Sequence, residues 1–174
     1  MEFDAVLLPP RRARLIAQGL WHDRTINAEL DACAAARPQQ LALTAVQVET
    51  GDVRRFSYGE MAQMADRIAV GLARLGVGRG DVVACQLPNW WQFTLTYLAC
   101  SRIGAVHCIV FGGFSADALR DRIVNGAAKV LVVCDGTFRG AKAVPQKDNA
   151  DAAIAQCPNV RLHIVVKRVG EKVQ

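Results

Sequence analysis

Two short glycine-containing segments hold the residue types that are best suited to binding a phosphate group. Phe111-Gly-Gly-Phe114 follows an apolar run and precedes Ser115, a predicted helix N-cap. Glycine lets a backbone approach a ligand closely, and the start of a helix presents free N–H groups to an anion. Arg139-Gly-Ala-Lys142 places a guanidinium and an ammonium group close together in sequence, and both groups suit a phosphate. The pattern alone nevertheless favours two ordinary polar loops of an α/β sheet over a binding site.

The elements before these segments predict the start of an α/β fold. Residues 41–48 and 53–56 are typical of a β-hairpin. Ser57 and Glu60 form a capping box before an amphipathic helical pattern that ends at Gly76. Helical and strand-like segments then alternate as αβαβαβαβ, which predicts a mainly parallel sheet flanked by helices and joined by right-handed crossovers.

The position of the two polar segments follows from this order. They come directly after the predicted strands 106–110 and 129–134, and residues 135–142 are predicted as a loop. The carboxyl ends of parallel strands share one edge of a sheet, and open α/β sheets usually bind ligands at that edge. Both segments are therefore expected at the ligand-binding edge.

Patterns for catalysis and metal binding are missing from the sequence. It contains no paired carboxylates, catalytic-triad order or metal-ligand spacing, so no catalytic residue and no metal ligand is predicted. The glycines of Gly76-Val-Gly-Arg-Gly80 follow a helix and precede a strand, which is the reverse of the dinucleotide-binding order. The six cysteines form no C-x-x-C pair and mostly lie in apolar runs, as free buried thiols do in a reducing compartment. His107 is interpreted as a core or edge histidine with satisfied hydrogen bonds rather than as a ligand.

Composition and charge exclude several classes of protein. Of the 174 residues, 52% are hydrophobic and 21% charged, which indicates a globular protein rather than a disordered one. No apolar run approaches the roughly 18–20 residues of a membrane span, and the start lacks signal-peptide features, so a soluble cytoplasmic protein is expected. Basic residues near the termini, including Arg11 and Arg168, supply much of the net charge of +5 and are predicted to be solvated. Aromatic residues do not alternate with the arginines, so nucleic-acid binding is not expected.

Two further segments are similar to motifs of the AMP-forming acyl-CoA synthetases. Arg55-Phe-Ser-Tyr-Gly-Glu60 resembles their early motif L-[ST]-Y-x-E-L, and Leu98 to Val106 resembles their core motif L-A-x-x-[KR]-x-G-A. The resemblance covers nearly the whole chain, as the N-terminal part of a much longer enzyme. It implies an incomplete adenylate-forming fold, with a helical lead-in over residues 1–40 and a partial AMP-binding domain over residues 41–174.

The two parts of the chain resemble different branches of that family. Residues 1–103, with Gln86-Leu-Pro-Asn-Trp-Trp91, are similar to ligases that activate cyclohexanecarboxylate and aryl acids. Residues 104–174, with the Phe111–Phe114 segment, are similar to acetyl- and propionyl-CoA synthetases. Both branches share a segment like Arg102–Val106, and our hypothesis places a junction there, from recombination or a sequence-assembly error.

The resemblance also implies a binding site for coenzyme A. In acetyl-CoA synthetases the second glycine of the Phe-Gly-Gly-Phe loop and a later Arg-Gly/Ala-Gly-Lys/Arg loop contact the nucleotide end of CoA. The matching positions here are Gly113, Arg139, Gly140, Ala141 and Lys142. Ala141 departs from the common glycine, and its methyl group is expected to crowd the ligand. The full-length family also uses ATP, magnesium and a carboxylic acid.

The family's adenylation motifs do not occur in the 174 residues. These are the T-S-G-[ST]-T-G-x-P-K loop, the aromatic-Thr-Glu motif, the ribose-binding Asp and the C-terminal Lys. Because they position and stabilise the reacting phosphates, the chain is predicted to be a truncated acyl-CoA synthetase that is inactive alone. A noncatalytic CoA- or nucleotide-binding module is the alternative, and a small α/β oxidoreductase is disfavoured. Incomplete sheet edges also predict exposed apolar surface and self-association.

Overall fold

The first part of the structure contains two helices and a β-hairpin. The computed structural model describes residues 9–22, 24–140 and 142–170. Helices α1 (Pro9–Ala17) and α2 (Ile26–Ala36) precede the antiparallel strands β1 (Leu41–Gln47) and β2 (Asp52–Ser57), which confirm the predicted hairpin. Leu30 of α2 is buried in the same apolar cluster as Phe56 and Met61. The predicted lead-in therefore packs on the rest of the protein, and a domain boundary near residue 40 stays a prediction.

Helix α3 (Tyr58–Arg74) begins at the predicted capping box. Ser57 Oγ accepts the N–H of Glu60 at 3.2 Å, and the Glu60 carboxylate accepts the N–H of Ser57 at 2.8 Å. These bonds satisfy donors that a helix start otherwise leaves unpaired. Gly76 follows the helix with a φ of +81°, a left-handed conformation that costs glycine little.

The chain then builds a parallel sheet and its covering helices. In chain order the elements are β3 (Val82–Gln86), α4 (Trp91–Ile103), β4 (Val106–Ile109), α5 (Ala116–Asn125), β5 (Val130–Cys134), β6 (Gly136–Arg139), β7 (Lys142–Pro145), α6 (Lys147–Ile154) and β8 (Leu162–Val166). Four of these strands form one parallel sheet in the order β4-β3-β5-β8. The predicted α/β class and parallel sheet are confirmed. None of the helices in the described ranges combines the length and apolarity that crossing a bilayer requires.

Separate apolar cores cover the two faces of this sheet. On one face, Ala99 and Cys100 of α4 pack with Val83 and Val132, together with residues of α3. On the other face, α5 and α6 pack on Leu131 and Val133. All residues of β5 are buried, as expected for a central parallel strand with helices on both sides. Burial of each large apolar side chain stabilises the fold by about 1.5–3 kcal/mol.

The strand order reverses in the middle of the sheet. From β3 the chain moves outward to the edge strand β4, then crosses to β5 and continues to β8 on the other side. This reversal is a topological switch point between β3 and β5, and crevices for ligands form outside the carboxyl ends of strands at such points. The segments that follow β3, β4 and β5 therefore border the crevice at which a ligand is expected.

Candidate functional site

The glycine segment after β4 forms a tight turn. The N–H of Phe114 donates to the carbonyl of Phe111 at 3.1 Å, so Gly112 and Gly113 are the central residues of a β-turn. The turn leads directly to Ser115, whose Oγ accepts the N–H of Ala118 at 3.4 Å and caps α5. The strand–turn–helix order that the sequence predicts is confirmed.

The second polar segment is a β-hairpin, so the prediction of a loop over residues 135–142 is wrong. Strands β6 and β7 pair antiparallel, with Arg139 opposite Lys142 at the turn. Gly140 has a φ of +60°, which two-residue hairpin turns often require and glycine adopts easily. Ala141 lies outside the described residues. The hairpin was not predictable from periodicity because each strand has only four residues.

The glycine turn and the hairpin meet across the end of β3. A Cβ atom built on Gly113 would lie 3.2 Å from a terminal nitrogen of Arg139 and 2.7 Å from the Phe111 ring. Gly113 and Arg139 line the same cavity of about 420 Å³, which also has Pro88 and Phe138 in its walls. A methyl group at Gly113 would therefore overlap the Phe111 ring unless that ring moved.

The remaining predicted site residues lie at the hairpin turn rather than in the cavity wall. Gly140 and Lys142 are exposed, and neither lines the cavity among the described residues. Lys142 is nevertheless paired with Arg139 across the hairpin. The structure thus places Gly113 and Arg139 together, with Gly140 and Lys142 beside them.

Two buried glutamines support the glycine turn, and neither was predicted. Gln86 ends β3, is 1% exposed, and its Nε2 lies 3.4 Å from the carbonyl oxygens of Phe111 and Phe114. Gln146, 3% exposed, donates from Nε2 to the carbonyl of Gly112. A polar residue at the end of an apolar strand was the available sequence signal for Gln86, because buried amides need partners.

Asp135 fixes the base of the hairpin to the segment after β8. Its Oδ1 accepts the N–H groups of Gly136 and Arg168 at 2.8 Å and of Val169 at 3.0 Å, and its Oδ2 accepts that of Gly170 at 2.8 Å. Burial acts to raise the pKa of this carboxyl, but the backbone N–H groups outweigh burial and hold the pKa below its ordinary value. Asp135 is therefore a charged structural anchor for the strand that ends in Arg139.

Arg168 lies against the aromatic side of the cavity, so the prediction that it is a solvated terminal cation is wrong. Its side chain is only 10% exposed and pairs with Glu49 at 3.5 Å. Its guanidinium carbon lies 5.3 Å from the ring centre of Trp90 and 6.0 Å from that of Phe138. Phe138 lines the cavity, so Arg168 supports one wall of the site from behind.

His107 takes no part in the cavity. The ring lies between Phe93 and Tyr97, with centroid distances of 5.4 and 5.6 Å. Burial lowers the pKa of His107, so the neutral ring is favoured. His107 lies on the edge strand β4, as interpreted, but neither ring nitrogen has a hydrogen-bond partner among the described residues, so the expectation that its hydrogen bonds are satisfied is wrong.

Fold and cavity together define an open α/β protein with a cationic, glycine-walled site at the switch point of its sheet. A protein-family model described as "AMP-binding enzyme" matches residues 30–173. This match covers well over half of the chain, so the chain belongs to the AMP-binding enzyme family.

Several curated relatives are named acetyl-coenzyme A synthetase. The protein from Coprinopsis cinerea is 42% identical over 144 residues, which are 83% of this chain and 22% of the relative. The protein from Methanothrix thermoacetophila is 41% identical over 134 residues, 77% of this chain and 20% of the relative. The protein from Magnetococcus marinus is 45% identical over 114 residues, 66% of this chain and 18% of the relative. The chain thus spans about a fifth of the length of these relatives.

These similarities are not limited to the second part of the chain. The family match over residues 30–173 crosses the Arg102–Val106 segment. A match of 144 residues within a chain of 174 must cross it as well. Similarity to acetyl-coenzyme A synthetases therefore extends on both sides of the hypothesised junction, and the division into two branches stays a prediction.

Proposed function

We propose that this chain forms the part of an AMP-dependent acyl-CoA synthetase that binds the nucleotide end of coenzyme A. The family reaction joins a carboxylic acid to CoA and converts ATP to AMP and pyrophosphate. The observation that supports this role best is the juxtaposition of Arg139 with Gly113 in one cavity of about 420 Å³. Similarity to proteins named acetyl-coenzyme A synthetase supports the same role.

The chemistry of the cavity suits a phosphorylated nucleotide. The Arg139 guanidinium offers paired donors to a phosphate, and Lys142 on the opposite strand adds a point charge. The bare backbone at Gly113 lets a phosphate approach its N–H group. Pro88, Phe111 and Phe138 provide apolar walls, which suit a purine ring. We assign the phosphate to the hairpin side and the base to the apolar walls.

We also propose that these 174 residues alone do not form an acyl-adenylate. The Gly/Ser/Thr-rich adenylation loop of the family does not occur in the sequence, and the positioned donors that it supplies are needed to stabilise phosphoryl charge. ATP, magnesium and the carboxylic acid would then be handled by residues outside this stretch. Release of pyrophosphate from ATP and acetate by the purified chain would contradict this proposal, whereas CoA binding without turnover would agree with it.

Calorimetry with CoA tests the binding role. The wild-type chain should release or absorb heat on titration with CoA, and dephospho-CoA should bind more weakly if the hairpin contacts the 3′-phosphate. Arg139→Ala should weaken CoA binding by about tenfold to a hundredfold, because a charge-assisted bidentate contact is lost. Arg74→Ala, at an exposed arginine in the last turn of α3, is the matched control. Absence of wild-type binding, or equal binding by both variants, would overturn the assignment.

We further propose that the chain self-associates through the edge of its sheet. The edge strand β4 and the following turn expose Val106, Ile109 and Phe111 by 52%, 63% and 68%. Exposed apolar side chains on an unpaired strand edge favour association with a second copy. Sedimentation velocity should show concentration-dependent dimers or larger species, and Ile109→Lys should reduce them. A monomer at all concentrations would contradict the proposal.

A further inference from the structure

The central peptide of the glycine turn can adopt two orientations. A β-turn with glycine at both central positions can be of type I, or its central peptide can flip to type II, which needs a positive φ at the third residue. Gly112 and Gly113 both lack positive φ values. The structure therefore shows the first orientation, although neither glycine has a side chain that would exclude the second.

Gln146 is the residue that distinguishes the two orientations. Its Nε2 donates to the Gly112 carbonyl, and its Oε1 accepts the Cys134 thiol at a sulfur-to-oxygen distance of 2.7 Å. The thiol contact fixes which end of the amide faces the turn. In the flipped orientation the N–H of Gly113 would face the NH₂ of Gln146, so two donors would face each other and the buried Gln146 amide would lose its acceptor.

We propose that Gln146 is a positioning residue that selects the orientation of the Gly112–Gly113 peptide, so that the N–H of Gly113 serves a phosphate of the nucleotide. This inference rests on the proposed CoA-binding role. In a trans peptide the carbonyl and the following N–H point in opposite directions, so anchoring the Gly112 carbonyl directs the Gly113 N–H away from Gln146. Within the described residues that N–H donates to no protein acceptor.

The electrostatic consequence of the orientation is large for an anionic ligand. A flipped peptide would present the Gly112 carbonyl oxygen in place of an N–H donor, next to the Arg139 guanidinium that attracts the anion. A donor stabilises a phosphate, whereas a carbonyl oxygen repels it. The anchor is also stable toward pH, because burial raises the pKa of the Cys134 thiol to about 11 and keeps its proton in place.

A measurement on the wild-type chain tests the orientation without any substitution. The nuclear Overhauser effect between the amide protons of Gly112 and Gly113 reports the orientation of the peptide between them, because a type I turn brings these two protons close together and a type II turn separates them. The effect should be strong, in agreement with the turn in which Gln146 binds the Gly112 carbonyl. A weak effect between the two amide protons, with a strong one from the Gly112 Hα protons to the Gly113 amide proton, would overturn the inference, whether or not the chain binds CoA.

Gln146→Glu replaces the amide that donates to the Gly112 carbonyl by a carboxyl group of nearly the same size. Near neutral pH the introduced carboxylate has no donor for the Gly112 carbonyl and accepts the Gly113 N–H instead. CoA binding should weaken about tenfold, relative to wild type at the same pH. As the pH falls from about 7 to about 5, through the raised pKa of a buried carboxyl, the protonated group can donate to Gly112 again. Binding should then return to within about twofold of wild type.

A matched control and the possible outcomes complete the test. Gln63→Glu makes the same chemical change at an exposed position of α3 and should bind CoA like wild type at every pH. Wild-type-like binding by Gln146→Glu at neutral pH, or weakened binding that acid does not restore, would overturn the positioning role. If wild type fails to bind CoA, the proposed function fails, and the nuclear Overhauser effect between the Gly112 and Gly113 amide protons still decides the orientation.

Discussion

Asp135 is expected to stabilise the base of the β6–β7 hairpin through its carboxylate. Substitution by Asn and by Ala distinguishes the contributions of its two carboxylate oxygens. Oδ1 accepts three backbone N–H groups and Oδ2 accepts one. Asp135→Asn can keep the three bonds to Oδ1 and loses the one from Gly170, so it should destabilise the protein by about 1–1.5 kcal/mol. Asp135→Ala leaves all four donors without this acceptor. Because water can reach part of this site and replace some of the lost hydrogen bonds, we expect Asp135→Ala to lower the free energy of unfolding by about 3 kcal/mol, which is less than the sum of four separate losses.

The pH dependence of this contribution has a definite sign. The folded protein holds the pKa of Asp135 below its ordinary value, because its backbone hydrogen bonds outweigh the effect of burial. A carboxyl with a lowered folded pKa stabilises the fold fully above its unfolded pKa of about 3.9. That stability is lost as the pH falls through the folded pKa. The difference in unfolding free energy between wild type and Asp135→Asn should therefore be constant near neutral pH and shrink below about pH 4.

Urea unfolding followed by circular dichroism measures these differences. Asp117→Asn and Asp117→Ala are matched controls, because the Asp117 side chain is 76% exposed and its ion pair with Arg120 lies on the surface. Both controls should change stability by less than about 0.5 kcal/mol. Equal costs for Asp135→Asn and Asp135→Ala would refute the division of donors between the two oxygens. A difference from wild type that grows at low pH would refute the sign of the pKa argument.

Three further predictions concern the core, a thiol and the glycine turn. Leu119→Ala should reduce the free energy of unfolding by about 2–5 kcal/mol, because Leu119 is fully buried, whereas Val124→Ala at a position 59% exposed should have little effect. Burial raises the pKa of Cys134 to about 11, so alkylation of this thiol by iodoacetamide at pH 8 should be much slower in the folded chain than in urea. Peptide mass spectrometry measures the two rates, and similar rates would contradict the burial of this thiol. Gly113→Ala should weaken CoA binding about tenfold, because the new methyl group would overlap the neighbouring phenyl ring, and Gly78→Ala, which meets no atom within 4 Å, should bind like wild type.

The parallel sheet was predictable because its signals are local and repeated. The capping box at Ser57 begins α3 where the pattern predicts, and the all-apolar run Val130–Cys134 is the most buried strand of the sheet. The Arg139 segment was harder, because strands of four residues have too few alternations to distinguish a hairpin from a loop. The prediction that both polar segments share one sheet edge agrees with their juxtaposition. The order of the strands, with β3 between β4 and β5, depends on tertiary packing and cannot be predicted from any single segment.

The supporting residues of the site were missed for a different physical reason. A pattern of apolar and polar residues assigns Gln86 and Gln146 to strand ends and loops, where amides usually face water. In the folded chain both are nearly fully buried, and each donates its amide N–H to carbonyls of the glycine turn. Burying an amide costs free energy unless its partners are supplied, so such residues persist where a backbone conformation needs an anchor. The turn has glycines that permit several conformations, and the two amides restrict it to one. The local sequence of the turn therefore does not reveal its single conformation, because the side chains that fix that conformation lie 25 or more positions away in the chain.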